Sequence, residues 1–167
     1  VVYKFKKEQP FTVTNENGYT TIFTNWTTSN KETTSGTITG ATTITANFNR
    51  TANSYTAKFD SNGGTTATPS SITKKYGEKL GTLPTTSKTG YTFAGWFTSA
   101  TGGTQITADT TMPVNGATYY AHWNINQYTL TVNPNGGTWN NTTENSTFKQ
   151  NYGTTKTISN PTVAPKG

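Results

Sequence analysis

Short runs in which apolar and polar residues alternate recur along the chain, and they predict β-strands. In the run 55–60, the side chains of Tyr55, Ala57 and Phe59 fall on one face, because successive side chains of a strand point to opposite faces. No stretch offers three turns of helical periodicity. The pattern predicts a β-rich fold, α+β at most, with short strands and little helix.

Further alternating runs predict the other strands. They lie at 11–13, 22–26, 44–48, 72–76, 91–97, 119–123 and 128–132. In the run 91–97, strict alternation places Tyr91, Phe93, Gly95 and Phe97 on the face opposite Ala94 and Trp96. The segment 33–43 has few apolar residues and is predicted to be a loop. The segment 80–88, which contains glycine and proline, is predicted to be a short helix at most or an extended crossover.

The chain also repeats itself. The ten residues 55–64 return as 128–137, and the pair Tyr76-Gly77 returns as Tyr152-Gly153. A fainter copy lies upstream, where 40–49 resembles 116–124. Internal periodicity of this kind indicates tandem structural units. We therefore expect a divergent or partial repeat at 1–53, a complete repeat at 54–124 and the N-terminal half of a further repeat at 125–167.

Composition supports small strand-rich units. Hydrophobic residues make up 29% of the 167 residues and charged residues 12%, whereas aromatic residues reach 13%. Threonine and aromatic residues favour strands, while glycine and asparagine favour turns. A unit of this size has a small core, so aromatic side chains are expected to supply most of the buried area. This composition disfavours a deep enzyme pocket.

The charge and the absence of cysteine limit the kinds of binding partner and chemistry that we expect. The net charge is +6, but Arg50 is the only arginine, and arginine is the residue preferred for reading bases and phosphates. We expect no nucleic-acid partner. The lysines are interpreted as solvated strand faces, with weak attraction to anionic polymers as the alternative. The absence of cysteine excludes disulfides and thiolate chemistry. No apolar run is long enough to span a membrane.

No pattern points to catalysis, so we predict that the protein is not an enzyme and has no catalytic, cofactor-binding or metal-binding residues. His122 is the only histidine, and one histidine with scattered acids makes a poor metal site. It is predicted to line a strand face. None of the seven acidic residues pairs with another at the spacing of an acid–base dyad, and no nucleophile elbow occurs.

The complete unit resembles a known family. Its motifs appear in order over about 70 residues: Phe59-Asp-Ser-Asn-Gly-Gly64, Tyr76-Gly77, Leu83-Pro84, Gly90-Tyr91-Thr-Phe-Ala-Gly-Trp96 and Tyr120-Ala-His-Trp123. This order is similar to the internalin-type B-repeat, also called the Listeria–Bacteroides repeat. The segment 1–53 lacks a clear Gly-Tyr-x-Phe-x-Gly-Trp, and Gly18-Tyr19 and Trp26 are its nearest remnants. The resemblance implies a compact β-grasp-like (ubiquitin-like) module that recurs in bacterial surface proteins and has no known catalytic residues.

The motif residues have structural explanations. They are Asn62, Gly63, Gly64, Tyr76, Gly77, Gly90, Tyr91, Phe93, Gly95, Trp96 and Trp123. The Asn-Gly-Gly run predicts a turn with positive φ, and Asp60 before it predicts an Asx-type cap. Gly77 is expected to end a strand, and Gly95 to leave room beside a bulky neighbour such as Trp96. Trp96 and Trp123 are predicted core anchors, with a platform for sugar or peptide stacking as the alternative.

These features predict a repeat segment of an extracellular bacterial cell-surface protein, which serves as a stalk, spacer or adhesin module. Its expected partners are neighbouring repeats or subunits, with an anionic cell-wall polymer, a host glycan or a host protein as further possibilities. Because the chain starts and stops inside repeats, we favour a window of a longer array. The alternative is a fibre subunit in which strands such as 1–5 complete a neighbour's half repeat. Glycan binding is the third hypothesis.

Overall fold

The computed structural model describes residues 3–6, 16–29, 35–38 and 40–164. These residues form ten β-strands and contain no helix, which confirms the β-rich prediction. The predicted strand at 11–13 and the C-terminal residues Lys166 and Gly167 lie outside the described residues.

The strands follow the predicted order along the chain. They are β1 (Tyr3–Lys6), β2 (Tyr19–Thr28), β3 (Ser35–Ile38), β4 (Ile44–Ala52), β5 (Ser54–Asp60), β6 (Ser71–Lys75), β7 (Tyr91–Phe97), β8 (Ala117–Ile125), β9 (Gln127–Val132) and β10 (Ser146–Asn151). The predicted strands at 22–26, 44–48, 55–60, 91–97, 119–123 and 128–132 are confirmed. The strand predicted at 72–76 begins and ends one residue earlier, as β6.

The strands form four sheets. The largest has the order β6-β5-β8-β7, and three two-stranded sheets pair β1 with β3, β2 with β4, and β9 with β10. The pairing of β3 with β1 is antiparallel, with Tyr3 opposite Ile38. The prediction that 33–43 is entirely loop was therefore wrong. Strand β3 forms through main-chain pairing, which a segment with few apolar side chains does not reveal in its sequence.

A β-bulge in β7 changes the predicted facing of its side chains. Phe93 lies opposite Trp123 on β8, and Gly95 lies opposite His122, so Ala94 has no partner across the pair. The extra residue shifts the alternation by one position. Phe93 and Trp96 consequently share a face, and their ring centroids lie 5.5 Å apart. The prediction that Phe93 shares its face with Gly95 and Phe97 was wrong for this reason.

The chain forms two compact units, each built from three segments. The first comprises Val1–Lys58, Ser71–Leu83 and Thr107–Ala117, and the second comprises Phe59–Ser70, Pro84–Ile106 and Thr118–Gly167. Buried side chains of the first are Ala57, Leu80 and Met112. Those of the second include Phe59, Trp96, Ile106, Tyr119, Ala121 and Trp139. The repeat boundaries proposed from the sequence remain a prediction.

The segment 80–88 is extended, as the crossover alternative predicts. The Leu80 amide donates to the carbonyl of Thr110 at 2.8 Å, and the Gly81 amide donates to that of Ala108 at 3.0 Å. Leu80 is buried in the first compact unit. Main-chain hydrogen bonds therefore engage the start of this segment without a helix.

Candidate functional site: the motif residues of the complete repeat

The turn after β5 has the backbone that its sequence demands. Asn62 has φ 47° and Gly63 has φ 86°. The Gly64 amide donates to the Ser61 carbonyl at 2.9 Å, and the Asn62 amide donates to Asp60 Oδ1 at 2.8 Å. Two successive positive φ values with a bond across them are typical of a type I′ turn, for which Asn-Gly is the preferred pair. The Asx-type cap by Asp60 is confirmed.

The same turn is present in the following repeat. Asn135 has φ 49° and Gly136 has φ 82°. The Asn135 amide donates to Asn133 Oδ1 at 2.8 Å, and the Gly137 amide donates to the Pro134 carbonyl at 2.9 Å. The repeated sequence therefore forms the same turn with the same hydrogen bonds in both copies.

Trp96 lies at the centre of the aromatic core of the second compact unit. It is 1% exposed, and its indole nitrogen donates to the Pro84 carbonyl at 2.9 Å. The ring of Phe59 meets it edge-on, with centroids 5.0 Å apart. Tyr119 packs on Phe59 at 5.8 Å, and burial raises the pKa of its hydroxyl. Edge-to-face aromatic pairs add to the hydrophobic stabilisation of so small a core.

Trp123 anchors the turn rather than the centre of the core. Its indole nitrogen donates to the Ser61 carbonyl at 3.0 Å, and its ring contacts Phe93 with centroids 5.4 Å apart. A Cβ on Gly64 would lie 2.5 Å from the Trp123 ring, so the turn requires glycine there. Trp123 is half-buried in this position.

Gly95 makes room for a different side chain from the one expected. Its φ is 132°, and a Cβ there would collide with the amide of Gln105, which donates to the Ala94 carbonyl at 3.3 Å. The side chain for which Gly95 leaves room is therefore that of Gln105, and not that of Trp96. Gly77, with φ 78°, follows β6 and has open space where a Cβ would stand.

An open groove of about 530 Å³ lies on the second compact unit. Its lining includes Asn62, Lys88, Tyr91, Phe97, His122 and Trp123. The side-chain Nδ2 of Asn62 donates to the carbonyls of Ala100 and Ala121, and His122 Nε2 lies 2.9 Å from the Ser99 carbonyl. His122 stacks on Phe97 with centroids 3.9 Å apart, which confirms that it lines a strand face. The side chains of Asn62 and His122 thus form hydrogen bonds to neighbouring backbone carbonyls. In the groove they stabilise the packing of the loops.

The charged side chains of the described residues are scattered over the surface. No three of their histidine, aspartate and glutamate side chains are grouped as metal ligands. The ion pair between Lys79 Nζ and Asp109 Oδ1, 2.7 Å apart, lies on the surface. No helix in the described part of the chain is suited by length and apolar content to cross a bilayer.

The motif residues Tyr76 and Gly90 contact residues outside the segment 54–124. The ring of Tyr76 lies against Gly18, and the ring of Tyr152 lies against Gly90. Asn53, between β4 and β5, and Asn126, between β8 and β9, complete these contacts, and neither was predicted from the sequence. A signal was present, because each asparagine stands two residues before the tyrosine that opens a repeated block.

Comparison with known proteins finds a family that matches this segment. The family model of the Listeria-Bacteroides repeat domain matches residues 55–122, which hold the turn, the aromatic core and the bulged strand. Residues 55–122 are therefore similar to the Listeria–Bacteroides repeat. This repeat spans β5 to most of β8 and so coincides with the unit recognised from its motifs.

Larger proteins share part of this sequence. Internalin H of Listeria monocytogenes is 40% identical over 83 residues, which cover 49% of this chain and 14% of the relative. Two provisionally named membrane proteins of Evansella cellulosilytica are 32% and 35% identical, each over 51% of this chain and over 12% and 10% of their own lengths. The chain therefore corresponds to a small part of each relative. No solved structure gives a significant match.

Proposed function

We propose that the chain is a non-enzymatic repeat segment of a bacterial cell-surface protein, displayed outside the cell as a stalk, spacer or adhesin module. The observation that carries this proposal is the match of residues 55–122 to the Listeria–Bacteroides repeat model, and it is supported by 40% identity to Internalin H over 83 residues. The repeat family is generally non-enzymatic. The relatives from Evansella, named as membrane proteins, support a location at the cell envelope.

A β-grasp-like module is the finer fold that we propose for the complete repeat. The four-stranded sheet with the order β6-β5-β8-β7 supports it. In this version of the module the segment 80–88 is an extended crossover stabilised by main-chain hydrogen bonds.

The chemistry of the surface suits a mechanical role. The polar side chains of the groove at Asn62 and His122 are engaged with backbone carbonyls of their own unit, and therefore brace loops instead of facing a substrate. The net charge of +6 favours contact with anionic partners, such as a cell-wall polymer or a host glycan. Such contact would be weakened by salt, because exposed charges are screened.

Antibody labelling tests the location. Antibodies raised against residues 1–167 should stain intact cells of the organism that encodes the chain. Staining that appears only after the cells are permeabilised would overturn the proposal. A lysate blot serves as the control that the protein is expressed under the growth conditions used.

Two alternatives have their own tests. A fibre subunit is favoured by the two-stranded sheet of β9 and β10, to which a neighbour could add strands. Sedimentation of residues 1–167 at high concentration should then show polymers, and removal of residues 1–7 should dissolve them.

Glycan binding is favoured by the stacked pair of Phe97 and His122 beside the groove. A glycan array without bound protein would eliminate it.

A further inference from the structure

Four residues connect the first repeat to the second. The Asn53 amide donates to the Gly18 carbonyl at 2.9 Å, and the Asn53 carbonyl accepts from the Tyr76 amide at 2.7 Å. The Thr20 hydroxyl donates to Asn53 Oδ1. Asn53 is also the single residue between β4 and β5. The backbone amide, the carbonyl and the side-chain oxygen of Asn53 are thus all hydrogen-bonded, so the link between β4 and β5 is held in place.

The same arrangement recurs between the second and third repeats. The Asn126 amide donates to the Gly90 carbonyl at 2.9 Å, and the Asn126 carbonyl accepts from the Tyr152 amide at 2.8 Å. The Thr92 hydroxyl donates to Asn126 Oδ1 at 2.7 Å. Asn126 is again the single residue between two strands, β8 and β9. Two independent stretches of sequence therefore form the same three hydrogen bonds.

Each glycine in these connections provides space for an aromatic ring. Gly18 has φ 88° and Gly90 has φ 79°, and a Cβ on either would overlap the ring of Tyr76 or Tyr152. Other glycines of similar φ lack such a neighbour: Gly81, at 76°, has nothing within 4 Å of its Cβ position. Glycine at 18 and 90 is thus needed for close approach as well as for backbone conformation.

The tyrosine that follows each glycine is held by a cation. The Arg50 guanidinium lies 3.5 Å from the centroid of Tyr19, and Lys88 Nζ lies 4.5 Å from that of Tyr91. Tyr19 in turn meets Tyr76 edge-on at 5.4 Å. Arg50 and Lys88 lie at different positions relative to the glycine, but each makes a cation–π contact with the tyrosine that follows it, because an aromatic face attracts cations.

We propose that this Gly–Asn–Tyr joint, formed by Gly18, Asn53 and Tyr76 and again by Gly90, Asn126 and Tyr152, is a coupling surface between consecutive repeats. The C-terminal part of one repeat offers a socket of glycine, threonine and tyrosine, and its partner is the tyrosine of the next copy of the unit. Each repeat then stabilises its neighbour. The inference goes beyond the proposed function, since the coupling does not depend on where the chain is displayed.

Hydrogen exchange of the whole chain tests the coupling. The variant Tyr152→Ala removes a ring of the third repeat. The reporters are the Tyr91 amide of the second repeat and the Asn126 amide, which donates to the Gly90 carbonyl of the second repeat. We expect their exchange to accelerate about tenfold, while the Ile106 amide, bonded to the Trp96 carbonyl, keeps its rate. Tyr128→Ala is the matched control, because Tyr128 belongs to the same third repeat and is 57% exposed, compared with 43% for Tyr152.

A reciprocal variant keeps the test decisive if Tyr152→Ala unfolds the third repeat. Thr92→Val in the second repeat preserves shape but removes the hydroxyl donor to Asn126, and should accelerate exchange of the Tyr152 amide about fivefold. Coupling is refuted if Thr92→Val leaves the Tyr152 amide within twofold of the unmodified chain. It is equally refuted if Tyr128→Ala accelerates the Tyr91 and Asn126 amides as much as Tyr152→Ala does.

Discussion

Replacing Gly90 with alanine should destabilise the protein more than replacing Gly81, although the two glycines have nearly the same backbone conformation. Their φ values are 79° and 76°. The left-handed conformation costs alanine about 1–2 kcal/mol, and this cost is common to both variants. At Gly90 the new methyl group would also displace the Tyr152 ring, whereas at Gly81 it meets open space. Overpacking of this kind adds about 1–3 kcal/mol.

Urea denaturation of residues 1–167 measures the difference. With a slope of about 1–3 kcal/mol per M, an extra 2 kcal/mol at Gly90 lowers the midpoint by about 1 M relative to Gly81→Ala. In a Tyr152→Ala background, the cost of Gly90→Ala should fall to that of Gly81→Ala, because the ring is no longer there to be displaced. Equal midpoints for Gly90→Ala and Gly81→Ala in the otherwise unmodified chain would show that the reasoning about the ring is wrong.

Three further predictions concern the repeat itself. Trp96→Ala should lower the free energy of unfolding, measured by thermal unfolding, by about 3–5 kcal/mol through the cavity that it leaves. Trp96→Phe should be more destabilising than Trp123→Phe, because the hydrogen bond to the Pro84 carbonyl is buried whereas that to the Ser61 carbonyl is part-buried. The free energy of unfolding should decrease as the pH rises above about 10, because the raised pKa of Tyr119 means that the folded state keeps a proton that the unfolded state releases. Tyr119→Phe should reduce this loss of stability at alkaline pH. An unchanged pH profile in that variant would contradict the assignment. Lys79→Ala should change the free energy of unfolding by less than about 0.5 kcal/mol, because the ion pair with Asp109 is exposed, and a loss above about 1 kcal/mol would contradict this.

Local chemistry explains what the sequence could predict. The Asn-Gly pairs at 62 and 135 favour positive φ at both residues, so each turn is predictable from its own few residues. Alternation located β5 and β8 for a similar reason, because Ala57, Phe59 and Tyr119 must face the interior of a small core. Patterns that follow from the conformation of one residue or one strand are visible in the sequence.

Features that depend on pairing between distant segments were not visible. The bulge at Ala94 inserts one residue opposite β8, and alternation counted along β7 alone cannot detect it. Strand β3 has few apolar side chains and is defined by its pairing with β1. Asn126 was not predicted because a single polar residue between two strands has the composition of any turn, and its role becomes evident only from its bonds to Gly90 and Thr92.

The central claim is that consecutive repeats are held together by the Gly–Asn–Tyr joint, and a distance distribution between spin labels tests it most directly. Because the chain contains no cysteine, Thr101→Cys in the second repeat and Thr143→Cys in the third provide unique labelling sites. Both residues are exposed. The account predicts one narrow distance peak, which broadens when Tyr152→Ala is added but not when Tyr128→Ala is added. A broad distribution in the chain with an intact joint would contradict the account.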